Sequence, residues 1–316
     1  MVSHAGYSIP WPQNHRFPMW KFDDLRAAAV EAGLVETNEF FSPDDGAALD
    51  VALARAHGAD YLAGVMDNTL PDALWRRIGF TQRPDHGALM RRTRLECAGT
   101  LLAARLAQEH GMACNLGGGT HHAHHDAGAG YTIINDLAAA ALDHLAKTLA
   151  NRALVIDLDV HQGDGTAEIL RSEERAFTLS VHCGDNYPFG FNKKAAPYLG
   201  DDRSDLDVAL PGGAGDEECL AALREHVPRV LDTFRPSLVI YDAGVDAHAD
   251  DALGRLQLSS EGLLKRDLFI LQECVDRGIP VATVIGGGYD SNRDRLAARH
   301  LVVLQAATQV WRQRHH

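Results

Sequence analysis

The stretch Ala153-Leu154-Val155-Ile156-Asp157-Leu158-Asp159-Val160-His161-Gln162-Gly163-Asp164-Gly165 decides the fold. Its first residues are apolar on consecutive positions, the pattern of a strand buried on both faces of a parallel sheet. Its last residues are acids, a histidine and glycines, which belong at the open end of such a strand. The same texture recurs in short β-type runs at 113–116, 176–182, 206–210, 237–243 and 280–285, with longer helical patterns between them. Strands alternating with helices make an α/β chain. Upstream, residues 22–109 are mainly helical, with apolar residues three and four apart in 25–32, 47–56 and 90–106, and read as scaffold and rim.

Hydrophobic residues are 46% of the 316 and charged ones 23%, enough apolar mass for a sheet covered by helices. No linker, repeat or low-complexity tract divides the chain, so one domain over 1–316 is expected, with 1–110 helical and 111–316 carrying the sheet. The net charge of -13 disfavours nucleic acid and favours cationic partners such as lysine-rich peptides or polyamines. Five cysteines without C-x-x-C spacing indicate neither a disulfide framework nor a thiolate metal site. No apolar run approaches the ~20 residues of a membrane span and no secretory h-region opens the chain, so a cytoplasmic protein without a membrane span is expected.

Ligands of open parallel sheets bind beyond the carboxyl ends of the strands. The polar clusters at 117–126, 157–164, 182–187, 242–251 and 286–290 each follow a β-type run, so five segments should converge on one pocket. On an extended segment Asp157, Asp159 and His161 would share a face and offer an O/N set for Zn²⁺ or another first-row divalent ion. The competing reading is a calcium loop ending at Glu168, but its sixth position is Gln162 where an EF-hand needs glycine. Gly117-Gly118-Gly119-Thr120-His121-His122 combines close backbone approach with two imidazoles for acid/base work, or is a metal-scavenging tract. Its place between a strand and the helical run 134–150 favours a site; His124 and His125 are expected in solvent. Asp246 completes a three-residue metal shell with coordination left open, although a single Asp there is also an ordinary cap. Tyr289, after Gly286-Gly287-Gly288, would donate to an oxyanion, although those glycines also read as a plain turn.

Joined in this order, G-G-G-T-H-H, D-L-D-V-H-Q-G-D-G, A-G-V-D and G-G-G-Y resemble the zinc-dependent histone deacetylase family from Met112 to the C-terminal helix. Residues 251–256, 262–267 and the opening Phe17-Pro18-Met19-Trp20-Lys21-Phe22 are most similar to its class IV branch, which has many bacterial members. The resemblance implies an arginase/deacetylase fold, a three-layer α/β structure with a central parallel sheet flanked by helices. It implies one Zn²⁺ per chain on Asp159, His161 and Asp246. His122 becomes the base that deprotonates the attacking water and later protonates the leaving amine, with His121 as its electrostatic partner. Asp164 would orient His122, Asp157 would orient His121, and Tyr289 would polarise the acyl carbonyl. A structural K⁺ is implied at Asp157, Asp159, His161, Ser180 and Val181. Gly130 and Tyr131 match one wall of an acyl-lysine tunnel, Tyr187 the other, Leu253 its floor, and Gly287 and Gly288 its inner end. Residues 183–202 follow no deacetylase class.

The expected reaction is hydrolysis of an acyl amide, acetyl or longer fatty acyl, on a lysine peptide or protein or on a polyamine. Two other classes compete. One is a noncatalytic acyl-lysine or polyamine binder, which has no need of an acid/base pair. The other is an arginase-like binuclear manganese ureohydrolase, which needs a further D-x-D where this chain has Val245-Asp246-Ala247-His248.

Overall fold

The computed structural model describes residues 1–82, 85–189 and 203–315. Six strands, β1 (Met112–Cys114), β2 (Ala153–Asp157), β3 (Ala176–Cys183), β4 (Leu206–Leu210), β5 (Leu238–Asp242) and β6 (Val281–Val284), form one sheet in the order β1-β6-β5-β2-β3-β4. Every neighbouring pair is parallel, so all carboxyl ends open on one edge. The described helices are α1 (Lys21–Glu31), α2 (Ala47–Ala56), α3 (Ala59–Met66), α4 (Asp72–Ile78), α5 (His86–His110), α6 (Asp136–Lys147), α7 (Asp164–Leu170), α8 (Asp216–Phe234), α9 (Ser260–Asp276) and α10 (Arg293–His315).

Helices α2, α5 and α6 pack together against the sheet, and α8, α9 and α10 make a second group with α1 on α10. These flanking groups give the three-layer α/β arrangement. All five residues of β2 and of β5 are buried, which is why neither strand alternates in sequence. Side-chain caps set where helices begin: Asp85 accepts from Ala88 N at 2.6 Å to start α5, and Asn135 accepts from Ala138 N at 2.8 Å to start α6.

Register brings the polar ends level. Asp157 of β2 lies beside Asp242 of β5 on one side and Ser180 of β3 on the other. β2 stops at Asp157, so the extended segment expected to carry Asp159 and His161 ends before both. Asp157 Oδ1 accepts the backbone N–H of Asp159 at 3.1 Å, a local turn that bends the chain out of the extended state. Asp157 therefore does not share a face with Asp159 and His161, contrary to the two-residue periodicity.

Candidate active site

The loops beyond β1, β2, β3, β5 and β6 meet around one cavity of about 340 Å³. Asp159 and His161 line it and converge with the buried Asp246, with ligand atoms within 4.8 Å of one another. His161 Nδ1 lies 2.9 Å from Asp159 Oδ1 and 3.2 Å from Asp246 Oδ2. Backbone donors aim the carboxylates: Gly287 N donates to Asp159 Oδ2 at 2.7 Å and Val160 N to Asp246 Oδ1 at 2.9 Å. Asp246 Oδ2 is buried without a hydrogen bond. Burial by itself would lower the His161 pKa, but the two carboxylates outweigh it and push it up to about 10. Two carboxylate oxygens, one of them without a hydrogen bond, and one imidazole nitrogen suit a divalent ion such as zinc.

Asp157 belongs to a second cluster with His121 and Asp242. Its Oδ2 lies 2.7 Å from His121 Nδ1, while Asp164 Oδ1 lies 2.6 Å from His122 Nδ1. The two imidazoles are 4.0 Å apart between centroids yet differ electrically. Burial opposes charge on both. At His121 the carboxylates of Asp157 and Asp159 overcome it and raise the pKa well above the usual value. At His122 burial wins, aided by the positive charge of His121, and the pKa falls to about 4. The carboxylates thus favour charge on one ring, while burial disfavours it on its neighbour. Asp242 has neither carboxylate oxygen hydrogen-bonded, and burial, then the charge of Asp157, pushes its pKa up.

The glycine run holds this pair in place. Gly118 and Gly119 have φ of +82° and +87°, and a Cβ on Gly119 would lie 2.5 Å from Gly286 Cα. Asp136, at the start of α6, accepts from Gly119 N at 3.1 Å and Thr120 N at 2.7 Å. His124 is buried, with Nδ1 2.9 Å from His122 O, because the loop folds back on itself; the expectation of exposure fails there and holds for His125.

Gly130, Tyr131, Tyr187, Leu253 and Gly287 all line the cavity, as does Tyr289. The Tyr187 ring meets His122 edge-on at 4.8 Å, and Tyr131, at φ +66°, stacks on Phe80 at 5.8 Å. Gly130 leaves room for His122, whose Cδ2 would lie 2.4 Å from a Cβ there. Tyr289 is buried, and burial followed by Asp246 and Asp159 keeps its hydroxyl protonated. Gly288 is not on the lining; its Cβ position faces His300 and Val245. Ser180 Oγ lies 3.0 Å from His182 Nδ1, and Val181 is buried beside it in β3.

The N-terminal helical part supplies more than rim. Phe17, Lys21, Phe22, Arg92 and Glu96 line the cavity too. Lys21 Nζ donates to Gly286 O at 2.7 Å, and Arg92 binds Glu96 through two contacts of 2.5 and 2.7 Å. A buried Arg-x-x-x-Glu pair inside an apolar helical run was the available signal for these two residues.

The histone deacetylase domain, as a family, matches residues 15–304. An uncharacterized protein of Picosynechococcus is 42% identical over 98% of this chain and 99% of its own length. Histone deacetylase 2 of Arabidopsis thaliana is 28% identical over 90% of this chain and 72% of its own. Among solved structures, an acetylpolyamine aminohydrolase from Burkholderia pseudomallei is similar with a TM-score of 0.75, at 20% identity over 96% of this chain and 97% of that one. The HDA15 HD domain is similar with a TM-score of 0.73, at 21% identity over 97% and 87%. These two share the arginase/deacetylase fold. With a domain match across most of its length and acid, base and carboxylate groups gathered at one sheet edge, the chain belongs to the histone deacetylase family and is a hydrolytic deacetylase.

Proposed function

We propose that the protein is a zinc-dependent deacylase that hydrolyses the amide between an acyl group and a lysine side chain or related primary amine. The observation that carries this reading is a pair of adjacent imidazoles, each held at Nδ1 by its own carboxylate, beside Asp159, His161 and Asp246. These three residues would hold the zinc, which when bound supplies Lewis-acid polarisation of the acyl carbonyl and a lowered pKa for water. His122, neutral and held at Nδ1 by Asp164, takes the proton of the attacking water and returns it to the leaving amine. His121, kept cationic by Asp157, stabilises negative charge in the transition state. The protonated Tyr289 donates to the oxyanion, and Tyr131 and Tyr187 flank the alkyl chain of the amine. Ser180 and Val181, level with Asp157, are the proposed K⁺ contacts together with the Asp157, Asp159 and His161 segment.

The cavity mouth bears on the substrate. Arg16 and Arg77 line it, and their charges act on Tyr131 and Tyr187 respectively. The carboxylates on the described lining are Glu96, paired with Arg92, and Asp159 of the metal cluster. Two guanidiniums without a free carboxylate favour an acyl-lysine with neutral or acidic surroundings over an acylated polyamine, despite the acidic net charge. The test is release of free amine by zinc-loaded protein from acyl-lysine peptides, acetyl to myristoyl, and from acetylated polyamines, with Asp159→Ala as control. Release from lysine peptides that is absent in the control is expected. No release from any substrate despite one bound zinc would turn the reading to a noncatalytic binder, and two bound ions to an arginase-like centre.

A further inference from the structure

Arg266 of α9 is 1% exposed, does not line the cavity, and sends its guanidinium to the two loops that carry the metal ligands. Nη1 donates to Leu158 O at 3.1 Å and to Gly244 O at 2.7 Å; Nη2 donates to Ala243 O at 3.3 Å. Leu158 directly precedes Asp159, and Gly244 stands two residues before Asp246. The loops touch at this point, since a Cβ on Gly244 would lie 2.8 Å from Asp159 Cα. Nε donates to Asp267 Oδ1 at 2.8 Å, and the same oxygen accepts the Tyr241 hydroxyl at 2.5 Å, which anchors the group to β5.

We infer that Arg266 is a positioning residue that sets the separation of Asp159 and Asp246 by bridging the backbones of their loops. One further link runs through a ligand itself, from Val160 N to Asp246 Oδ1, and another joins the backbones nearer the strands, from Leu158 N to Asp242 O at 3.0 Å. The Arg266 bridge acts on main-chain carbonyls and leaves the carboxylates free for the ion. Only a planar fork with several fixed donors reaches three carbonyls and a carboxylate at once; a lysine ammonium has no such geometry. The inference rests on the metal-site reading given above.

The test uses the full chain stripped of metal, with Zn²⁺ titrated against a chromophoric chelator, and Co²⁺ as a spectroscopic probe of coordination geometry. Arg266→Lys, which keeps the charge, should weaken zinc binding on the order of 10- to 100-fold, as loss of groups that orient metal ligands does. It should also change the visible Co²⁺ bands, a readout that the accompanying loss of metal-free stability does not by itself move. Tyr241→Phe, which loosens the far anchor, should shift both readouts in the same direction by a smaller factor, and serves if Arg266→Lys does not fold. Unchanged zinc affinity and an unchanged Co²⁺ spectrum in the folded variant would overturn the positioning role. A parent protein that binds no metal would overturn the deacylase reading itself, and this inference with it.

Discussion

Replacing Gly287 by alanine tests the metal cluster at its most constrained point. A Cβ there would stand 2.0 Å from Asp246 Oδ2 and 2.5 Å from Asp159 Oδ2. Gly287 does not have positive φ, so the methyl meets the carboxylates without a separate backbone cost. To restore even a 3.0 Å contact, the two oxygens must retreat by at least 1 and 0.5 Å. Metal–ligand distances tolerate only about 0.2 Å, so two of three ligands leave the site. Zinc affinity should fall by at least ~100-fold, which is about 2.7 kcal/mol, and turnover should fall with it. Competition titration with a chelator measures the loss. Gly278→Ala is the control: nothing lies within 4 Å of its Cβ, but φ is +66°. It should cost about 1–2 kcal/mol of stability and leave zinc binding unchanged. Parental zinc affinity in Gly287→Ala would refute the placement of the ion between Asp159 and Asp246.

Three further outcomes are expected. Tyr289→Phe should retain zinc and lose on the order of 100-fold in kcat; near-normal turnover would exclude an oxyanion donor at this position. Asp164→Asn should lower kcat by roughly 100-fold or more, because His122 loses the acceptor that orients it, and an unaffected rate would leave His122 without a role as base. His57 links the His124 carbonyl (3.0 Å) to the Asn135 N–H (2.9 Å), and burial lowers its pKa to about 4. The unfolded chain takes up that proton near 6.5, so this contribution is full above about pH 6.5 and is lost as pH falls towards 4, costing about 2 kcal/mol at pH 5. In a chain of 316 residues that is a melting shift of roughly 3 °C between pH 7.5 and 5 relative to His57→Gln. Parallel melting curves for the two proteins would contradict it.

Much of the site was legible because its signals are local. Consecutive apolar residues mark a two-sided strand, and a polar cluster after such a strand must lie at the ligand-binding edge of a parallel sheet. The gathering of Asp159, His161 and Asp246 at one edge follows from that rule applied to each segment, whereas the pairing of His121 with Asp157 and of His122 with Asp164 came only from the family resemblance. Periodicity misled where a side chain captured its own backbone: the Asp157 turn ended β2 early and gave Asp157 to His121. Burial of His124 likewise depended on a fold-back contact that no pattern of polar residues reveals.

What the sequence by itself determined is the layered α/β architecture and which segments carry polar clusters at the strand ends, because strand burial and motif composition are written in neighbouring residues. Tertiary structure alone decided the rest. Lys21 meets Gly286 across 265 positions, and Arg266 reaches Leu158 across 108. Such pairs arise from packing of whole layers, and either partner viewed alone is an ordinary charged residue on a helix or an ordinary backbone carbonyl. The opposite pKa shifts of His121 and His122 have the same origin: burial lowers both, and only at His121 does the folded sheet bring enough carboxylate charge, from Asp157 and Asp159, to reverse it.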